Sequence, residues 1–190
     1  GPRWHEGRLW YSDFYDHAVH AIDLSGNDER IVEVESQPSG LGWLPDGDLL
    51  VTSMLDRKLM RWNGSELTTH ADLGAHFTWH ANDLLVDQQG RAYIGNFGFD
   101  FEVFLDEQGI EGLFADPDSL TTVMCRVDPD GTINIASDGL IFPNGMVITP
   151  DGKAVAESPS NVGRAPMPPE LNINISARRP DLPATGRAEI

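Results

Sequence analysis

The 190-residue chain is 40% hydrophobic and 23% charged, which is the composition of a soluble globular protein. Its 13 basic residues stand against 30 acidic ones, and the net charge of -17 disfavours nucleic acid and anionic membranes as partners. This acidity favours cations as partners or serves solubility or a high-salt habitat. Cys125 is the single cysteine, which excludes an intrachain disulfide and favours a reducing, cytoplasmic location.

Short apolar runs separated by turn residues predict antiparallel strands along the chain. The clearest candidates span 10–13, 49–53 and 91–95, where aromatic and β-branched residues are frequent. Further strand pairs are predicted within 57–64 and 125–137. The turns between the runs read PDG, QQG and PDG, which is typical of hairpins whose glycine adopts a positive φ.

Three segments repeat one pattern and align without a gap. They are QPSGLGWLPDGDLLVT (37–52), HANDLLVDQQGRAYIG (80–95) and FPNGMVITPDGKAVAE (142–157). The third place of the repeat holds a small polar residue, which is Ser39, Asn82 or Asn144. The first two of these residues are 43 positions apart, and an inserted segment near 100–119 accounts for the longer interval to the third.

The repeat predicts an all-β fold of the propeller type, because four short antiparallel strands in about 40 to 45 residues are typical of a propeller blade. Blades are related by rotation about a central channel, so side chains at the third place should form a ring around the axis. Asn82 and Asn144 are therefore predicted to face each other at the channel mouth, where their oxygens could hold a hard cation. The alternative is that they only satisfy backbone groups at a strand start.

The segments GPRW, LWYSDF, PSGLGWLPDG, HANDLLVDQQGRAYIGNFGFD and FPNGMVITPDGK together resemble the gluconolactonase family, which includes regucalcin. The resemblance extends from residue 1 to about residue 157. It implies a six-bladed propeller with one divalent cation in the axial channel, Ca²⁺ in the first place and Zn²⁺ or Mg²⁺ as alternatives. Such a cation polarises a lactone carbonyl and activates water, so the implied partner is a small-molecule lactone.

The resemblance also implies roles for individual residues. Asn144 corresponds to the asparagine that binds the metal, and Asn82 to one that reaches the substrate or a metal-bound water. Asp83 follows Asn82 and is expected to shape the same substrate-binding loop. His80 takes the place of an arginine that contacts substrate in some members.

Phe97 is a further candidate for substrate contact, since it begins a dense aromatic run at 97–104. This run predicts either a hydrophobic plug under a long loop or an apolar wall over the channel mouth.

Two carboxylates of the family pattern are not matched. The family's glutamate ligand falls immediately before Gly1, and its aspartate, a ligand and general base from a later blade, has no counterpart, so no catalytic residue is assigned. The pattern ends near residue 157, after which the sequence is rich in proline and lacks aromatic residues. We therefore expect a partial propeller of about three to four blades at 1–157, followed by an irregular or disordered tail at 158–190.

Three functions are compatible with these features. The first is a divalent-cation-dependent lactone hydrolase of the gluconolactonase type, weak or inactive as this fragment. The second is a non-catalytic propeller module that binds a cation or a partner. The third is a related propeller hydrolase of phosphotriesters, which would need a different pocket around the same cation.

Overall fold

The computed structural model describes residues 1–149 and 155–157, and within them the chain is an arc of a β-propeller. Three four-stranded sheets follow one another, and a two-stranded hairpin begins a fourth. Within each sheet, every strand pairs antiparallel with the next one along the chain. The propeller predicted from the repeat is thus confirmed, while the predicted tail at 158–190 lies outside the described residues.

The blades are numbered in chain order. Blade 1 consists of β1 (Arg3–His5), β2 (Arg8–Asp13), β3 (Ala18–Asp23) and β4 (Asp28–Glu33). Blade 2 consists of β5 (Pro38–Trp43), β6 (Leu49–Ser53), β7 (Lys58–Trp62) and β8 (Leu67–Asp72). Blade 3 consists of β9 (Ala81–Val86), β10 (Ala92–Asn96), β11 (Thr121–Val127) and β12 (Ile133–Ile141). Blade 4 begins with β13 (Met146–Ile148) and β14 (Val155–Glu157).

An insertion between β10 and β11 is helical. It contains α1 (Phe101–Gln108), α2 (Gly112–Ala115) and a 3₁₀ turn (Pro117–Leu120). Asp100 caps α1, since its Oδ1 accepts a hydrogen bond from the Val103 amide at 3.1 Å. Gly109 ends the helix with a φ of 65°. The sequence located this insertion as a long loop, and the structure places a helix there. Within the described part of the chain, no helix has the length and apolarity needed to cross a membrane.

The core lies between neighbouring blades. Successive side chains of a strand point to opposite faces, so Leu49 and Val51 of β6 pack toward blade 1 and Leu50 packs toward blade 3. The same alternation in β10 directs Ile94 toward blade 2 and Tyr93 toward blade 4. Each inner blade is therefore apolar on both faces, which explains the continuous apolar runs in the sequence.

Cys125 belongs to the cluster between blades 2 and 3 and is completely buried. Burial raises the pKa of its thiol to about 12, so the thiol is protonated and unreactive at neutral pH.

The first strands of blades 2 and 3 approach closely at Gly40. A Cβ atom at this position would overlap the backbone nitrogen of Leu84 and lie 2.7 Å from the carbonyl carbon of Asp83. Only glycine leaves enough room for β5 and β9 to lie side by side.

Arg3 connects blade 1 to blade 3. Its Nη2 donates to Oδ1 of Asp83 at 3.1 Å and to the carbonyl oxygen of Leu84 at 2.7 Å. The Asp83 side chain is only 12% exposed, so this ion pair is well shielded from water. Because Arg3 belongs to blade 1 and Asp83 to blade 3, with blade 2 between them along the chain, the pair fixes three successive blades relative to one another.

We expect the substitution Gly40→Ala to destabilise the protein by about 1–3 kcal/mol or more, because the new methyl group overlaps the backbone of β9. Urea unfolding followed by tryptophan fluorescence measures the effect. Gly145→Ala is the matched control, since Gly145 holds the same place of the repeat and none of the described residues lies within 4 Å of its Cβ position. The control should change stability by no more than about 1 kcal/mol, and equal effects of both substitutions would contradict the close approach.

The substitution Arg3→Ala should lower the free energy of unfolding by about 1–3 kcal/mol, because it leaves the shielded carboxylate of Asp83 without its cation. The control is Lys58→Ala, which removes the partner of Asp56 from a more exposed ion pair and should leave the unfolding midpoint near that of the unmodified chain. Indistinguishable midpoints for the two variants would show that Arg3 does not hold the blades together.

Candidate functional site

The inner strands of blades 2 and 3 carry the same β-bulge. In β5, Ser39 and Gly40 lie opposite the single residue Thr52, between the Pro38–Ser53 and Leu41–Val51 pairs. In β9, Asn82 and Asp83 lie opposite Gly95 in the same manner. A bulge bends the strand and changes the direction of its side chains. The third place of the repeat is therefore a bulge position in both blades.

The third-place side chains form a chain of hydrogen bonds across three blades. The Ser39 hydroxyl donates to Oδ1 of Asn82 at 3.3 Å, and Nδ2 of Asn82 donates to Oδ1 of Asn144 at 3.3 Å. Ser39 is buried, Asn82 is half-buried and Asn144 is exposed. We call these three residues the axial triad. The convergence of Asn82 and Asn144 expected from the repeat is present in the structure, whereas their roles toward metal and substrate stay predictions.

Gly1, at the start of blade 1, lies close to Ser39 of the axial triad. A Cβ atom on Gly1 would lie 2.7 Å from the carbonyl oxygen of Ser39. The backbone at the start of blade 1 thus lies against the axial triad.

Asp83 has a different position from its neighbour Asn82. Its Oδ1 accepts hydrogen bonds from Arg3 and, at 2.8 Å, from the backbone amide of Leu84. This carboxylate oxygen therefore serves the packing of the blades, and the role of Asp83 toward substrate stays a prediction. Arg3 was missed by sequence reasoning, since its partner lies in another blade and no local pattern connects them.

A cleft with a volume of about 530 Å³ lies beside the triad: it is lined by Gln37 and His80, which are two residues before Ser39 and Asn82, but not by the triad residues themselves. Blades 1 and 2 line it with Phe14, Tyr15, Gln37, Met54 and Leu55. Blade 3 contributes His80 and Phe97, two of the four residues that the sequence associated with substrate, whereas Asn82 and Asp83 do not line the cleft. The backbone amide of Phe97 donates to the carbonyl oxygen of His80 at 2.9 Å, which holds both residues at one wall.

Aromatic rings continue this wall toward the axial triad. The Trp79 and His80 rings stack at 4.7 Å between centroids, and those of Phe97 and Phe142 stack at 4.6 Å. Phe101 from helix α1 lies 5.5 Å from Phe142. Because Phe142 is two residues before Asn144, the apolar wall leads to the start of blade 4.

The first place of the repeat has a left-handed backbone in two of the three segments. Gln37 has a φ of 65° and Phe142 a φ of 49°, both in the left-handed region that favours glycine. A non-glycine residue in this region costs on the order of 1–3 kcal/mol and persists where surrounding contacts impose it. His80 holds the same place in blade 3. Gln37 and His80 line the cleft, and Phe142 packs against its wall.

The electrostatic character of the cleft is set by His80 and two carboxylates. Burial lowers the pKa of His80, and the carboxylate of Asp100 offsets part of this shift. The imidazole is therefore neutral at pH 7 and can donate one hydrogen bond and accept another. Asp100 and Glu102 line the cleft on the side of helix α1.

The triad suits a hard cation by the type of its donors. Ca²⁺ and Mg²⁺ prefer oxygen ligands, whereas Zn²⁺ is bound in most sites by nitrogen and sulfur. Asn144 and Asn82 offer amide oxygens, and Ser39 offers a hydroxyl, but all three are uncharged. Among residues 1–149 and 155–157, no group of three or more His, Cys, Asp and Glu residues could hold a metal ion.

Comparisons with known proteins agree with this architecture. Residues 1–162 match a family model described as the SMP-30/gluconolactonase/LRE-like region. No curated protein matches the sequence.

Several solved structures share the fold. A gluconolactonase from Xanthomonas campestris is 21% identical, with a TM-score of 0.61 over 83% of this chain and 53% of that one. A calcium-binding protein, regucalcin, from Agrobacterium tumefaciens is 20% identical, with a TM-score of 0.59 over 83% and 49%. A luciferin-regenerating enzyme is 17% identical, with a TM-score of 0.61 over 82% and 50%.

This chain spans about half the length of these structures. At such identities the structural likeness shows the fold alone, whereas the family model covers most of the sequence. The chain thus belongs to the SMP-30/gluconolactonase/LRE-like family.

Proposed function

We propose that this chain belongs to a divalent-cation-dependent lactone hydrolase in which Asn144 binds the cation. The observation that carries the proposal is the hydrogen bond between Asn82 and Asn144, which brings amide groups from blades 3 and 4 together at the start of their inner strands. Ca²⁺ is the first candidate, with Mg²⁺ and Zn²⁺ as alternatives. When bound, such a cation would polarise the lactone carbonyl and lower the pKa of a coordinated water.

The protein's own residues would position the reacting groups. Asn82 donates one amide hydrogen to Oδ1 of Asn144, which orients that oxygen. Its second amide hydrogen remains available to a substrate or to a cation-bound water. The buried hydroxyl of Ser39 donates to Oδ1 of Asn82 and limits the rotation of its side chain. Ser39 is therefore a positioning residue for Asn82.

The cleft would hold the substrate beside this site. His80 and Phe97 form one wall, and the neutral imidazole of His80 would offer a hydrogen bond without attracting an anion. Asp83 would contribute indirectly, because its ion pair with Arg3 fixes the bulge that carries Asn82.

A second candidate function is a propeller module that binds a cation or a partner without catalysis. The chemistry of the axial triad favours it, since amide and hydroxyl groups can contact a cation or a partner but cannot act as a general base toward water. The cytoplasmic location and the exclusion of nucleic acid and membranes stay predictions from composition.

We expect Asn144→Ala to weaken calcium binding by about tenfold or more, because it removes a direct oxygen ligand. Isothermal titration of CaCl₂ into EDTA-treated, desalted protein measures this affinity. Asn134→Ala is the matched control, since Asn134 lies in β12 and donates to Asp128 rather than to the triad. Equal affinity of both variants would remove Asn144 from the site.

The same preparations test catalysis by pH-stat titration of lactone hydrolysis with EDTA and with added CaCl₂, MgCl₂ or ZnCl₂. Hydrolysis that disappears with EDTA and returns with one of the cations supports the lactonase function. Hydrolysis that is insensitive to EDTA overturns the cation dependence. Calcium binding without hydrolysis of any lactone favours the non-catalytic module.

A further inference from the structure

We propose that the cleft beside the axial triad selects lactones that carry an apolar substituent and no negative charge. This inference rests on the proposed lactone function and adds the substrate class to it.

The first observation is the exposed apolar surface of the cleft. Three large side chains that line it are left open to solvent: Phe14 is 40% exposed, Leu55 is 42% exposed and Tyr15 is 93% exposed. These residues come from loops of blades 1 and 2 and converge on one opening. Apolar surface concentrated at the mouth of a cleft is typical of a ligand site. A bound apolar group would remove it from water.

The second observation is the continuity of the aromatic wall. Phe97 lines the cleft and stacks on Phe142, which is followed after one proline by Asn144. A lactone whose carbonyl lies at Asn144 would therefore extend its substituent along Phe97 and toward the exposed apolar mouth. Phe101 lengthens the same wall from helix α1.

The third observation is the sign of the charge. Asp100 and Glu102 line the cleft, and none of the described lining residues is Lys or Arg. Arg57, whose charge influences His80, donates its Nη1 to the carbonyl oxygen of Phe77 and is not part of the lining. An anionic substituent would thus meet two carboxylates without a counter-charge, in a chain whose net charge is already -17.

Binding to EDTA-treated protein, measured by isothermal titration, tests the inference separately from catalysis. Three probes share one lactone ring: γ-butyrolactone, γ-decanolactone with its neutral hexyl chain, and γ-butyrolactone-γ-carboxylate. We expect γ-decanolactone to bind about tenfold more tightly than γ-butyrolactone, because the hexyl chain is buried against the wall. The carboxylate should bind more weakly than the unsubstituted ring.

Variants locate the effect in the cleft. Phe97→Ala should reduce the preference for γ-decanolactone by about fivefold or more. Tyr15→Ala provides a second variant that does not endanger folding, because this side chain is almost fully exposed. It should reduce the preference in the same direction.

A matched pair of charge reversals tests the exclusion of anions. Glu102→Lys should raise the affinity for the carboxylate about threefold or more. Glu107→Lys should leave it unchanged, because Glu107 is also exposed on helix α1 but does not line the cleft.

Equal affinities for γ-decanolactone and γ-butyrolactone, or equal effects of the two charge reversals, would overturn the inference. If the protein hydrolyses lactones in a cation-dependent manner but binds the three probes with equal affinity, the inference is overturned and the lactonase function stands. A preference for γ-decanolactone without hydrolysis would support the inference and count against the lactonase function.

Discussion

The close approach of the inner strands of blades 2 and 3 is the constraint on which the site depends. Gly40 lacks a side chain at the point where the backbone of Leu84 passes, so β5 and β9 can lie side by side. The neighbouring residues Ser39 and Asn82 both lie in bulges, and the approach brings their side chains to 3.3 Å. A methyl group at position 40 would separate the strands and therefore the polar groups. The close packing of blades 2 and 3 and the short distance between Ser39 and Asn82 thus depend on the same backbone contact at Gly40.

Charge is distributed unevenly around this axis. The carboxylate of Asp83, which directly follows Asn82 in the chain, already has its oxygen Oδ1 bound to Arg3 and to the Leu84 amide. The triad itself offers only uncharged oxygens, which can contact a hard cation but cannot neutralise it. A site built on these oxygens alone would bind weakly, since calcium affinity rises with the number of charged ligands.

The sequence predicted those parts of the fold that repeat. The alignment of three segments at one register identified the blades, the hairpins and the contact between Asn82 and Asn144, because rotational symmetry converts equal register into proximity. It could not predict the ion pair of Arg3 with Asp83, since neither residue belongs to a local pattern. The bulges were also hidden, because an alignment without gaps shows no extra residue when both blades carry the same one. Helix α1 has two end signals that the sequence shows, the capping Asp100 and the terminal Gly109. The aromatic run that overlaps its first turn was instead interpreted as a hydrophobic plug or an apolar wall, so no helix was predicted.

The repeated strands position the axial triad, and the helical insertion positions part of the cleft lining. The repeat fixes the axial triad through strands that are buried on both faces, so substitutions there also affect the packing of two blades. Helix α1, in contrast, has no fully buried side chain among its described residues, yet it places Phe101 and Glu102 at the cleft. Exposed positions on such a helix can change at little cost in stability. The proposed preference for a substituent could therefore be altered on α1 without disturbing the triad atoms that would hold the proposed cation.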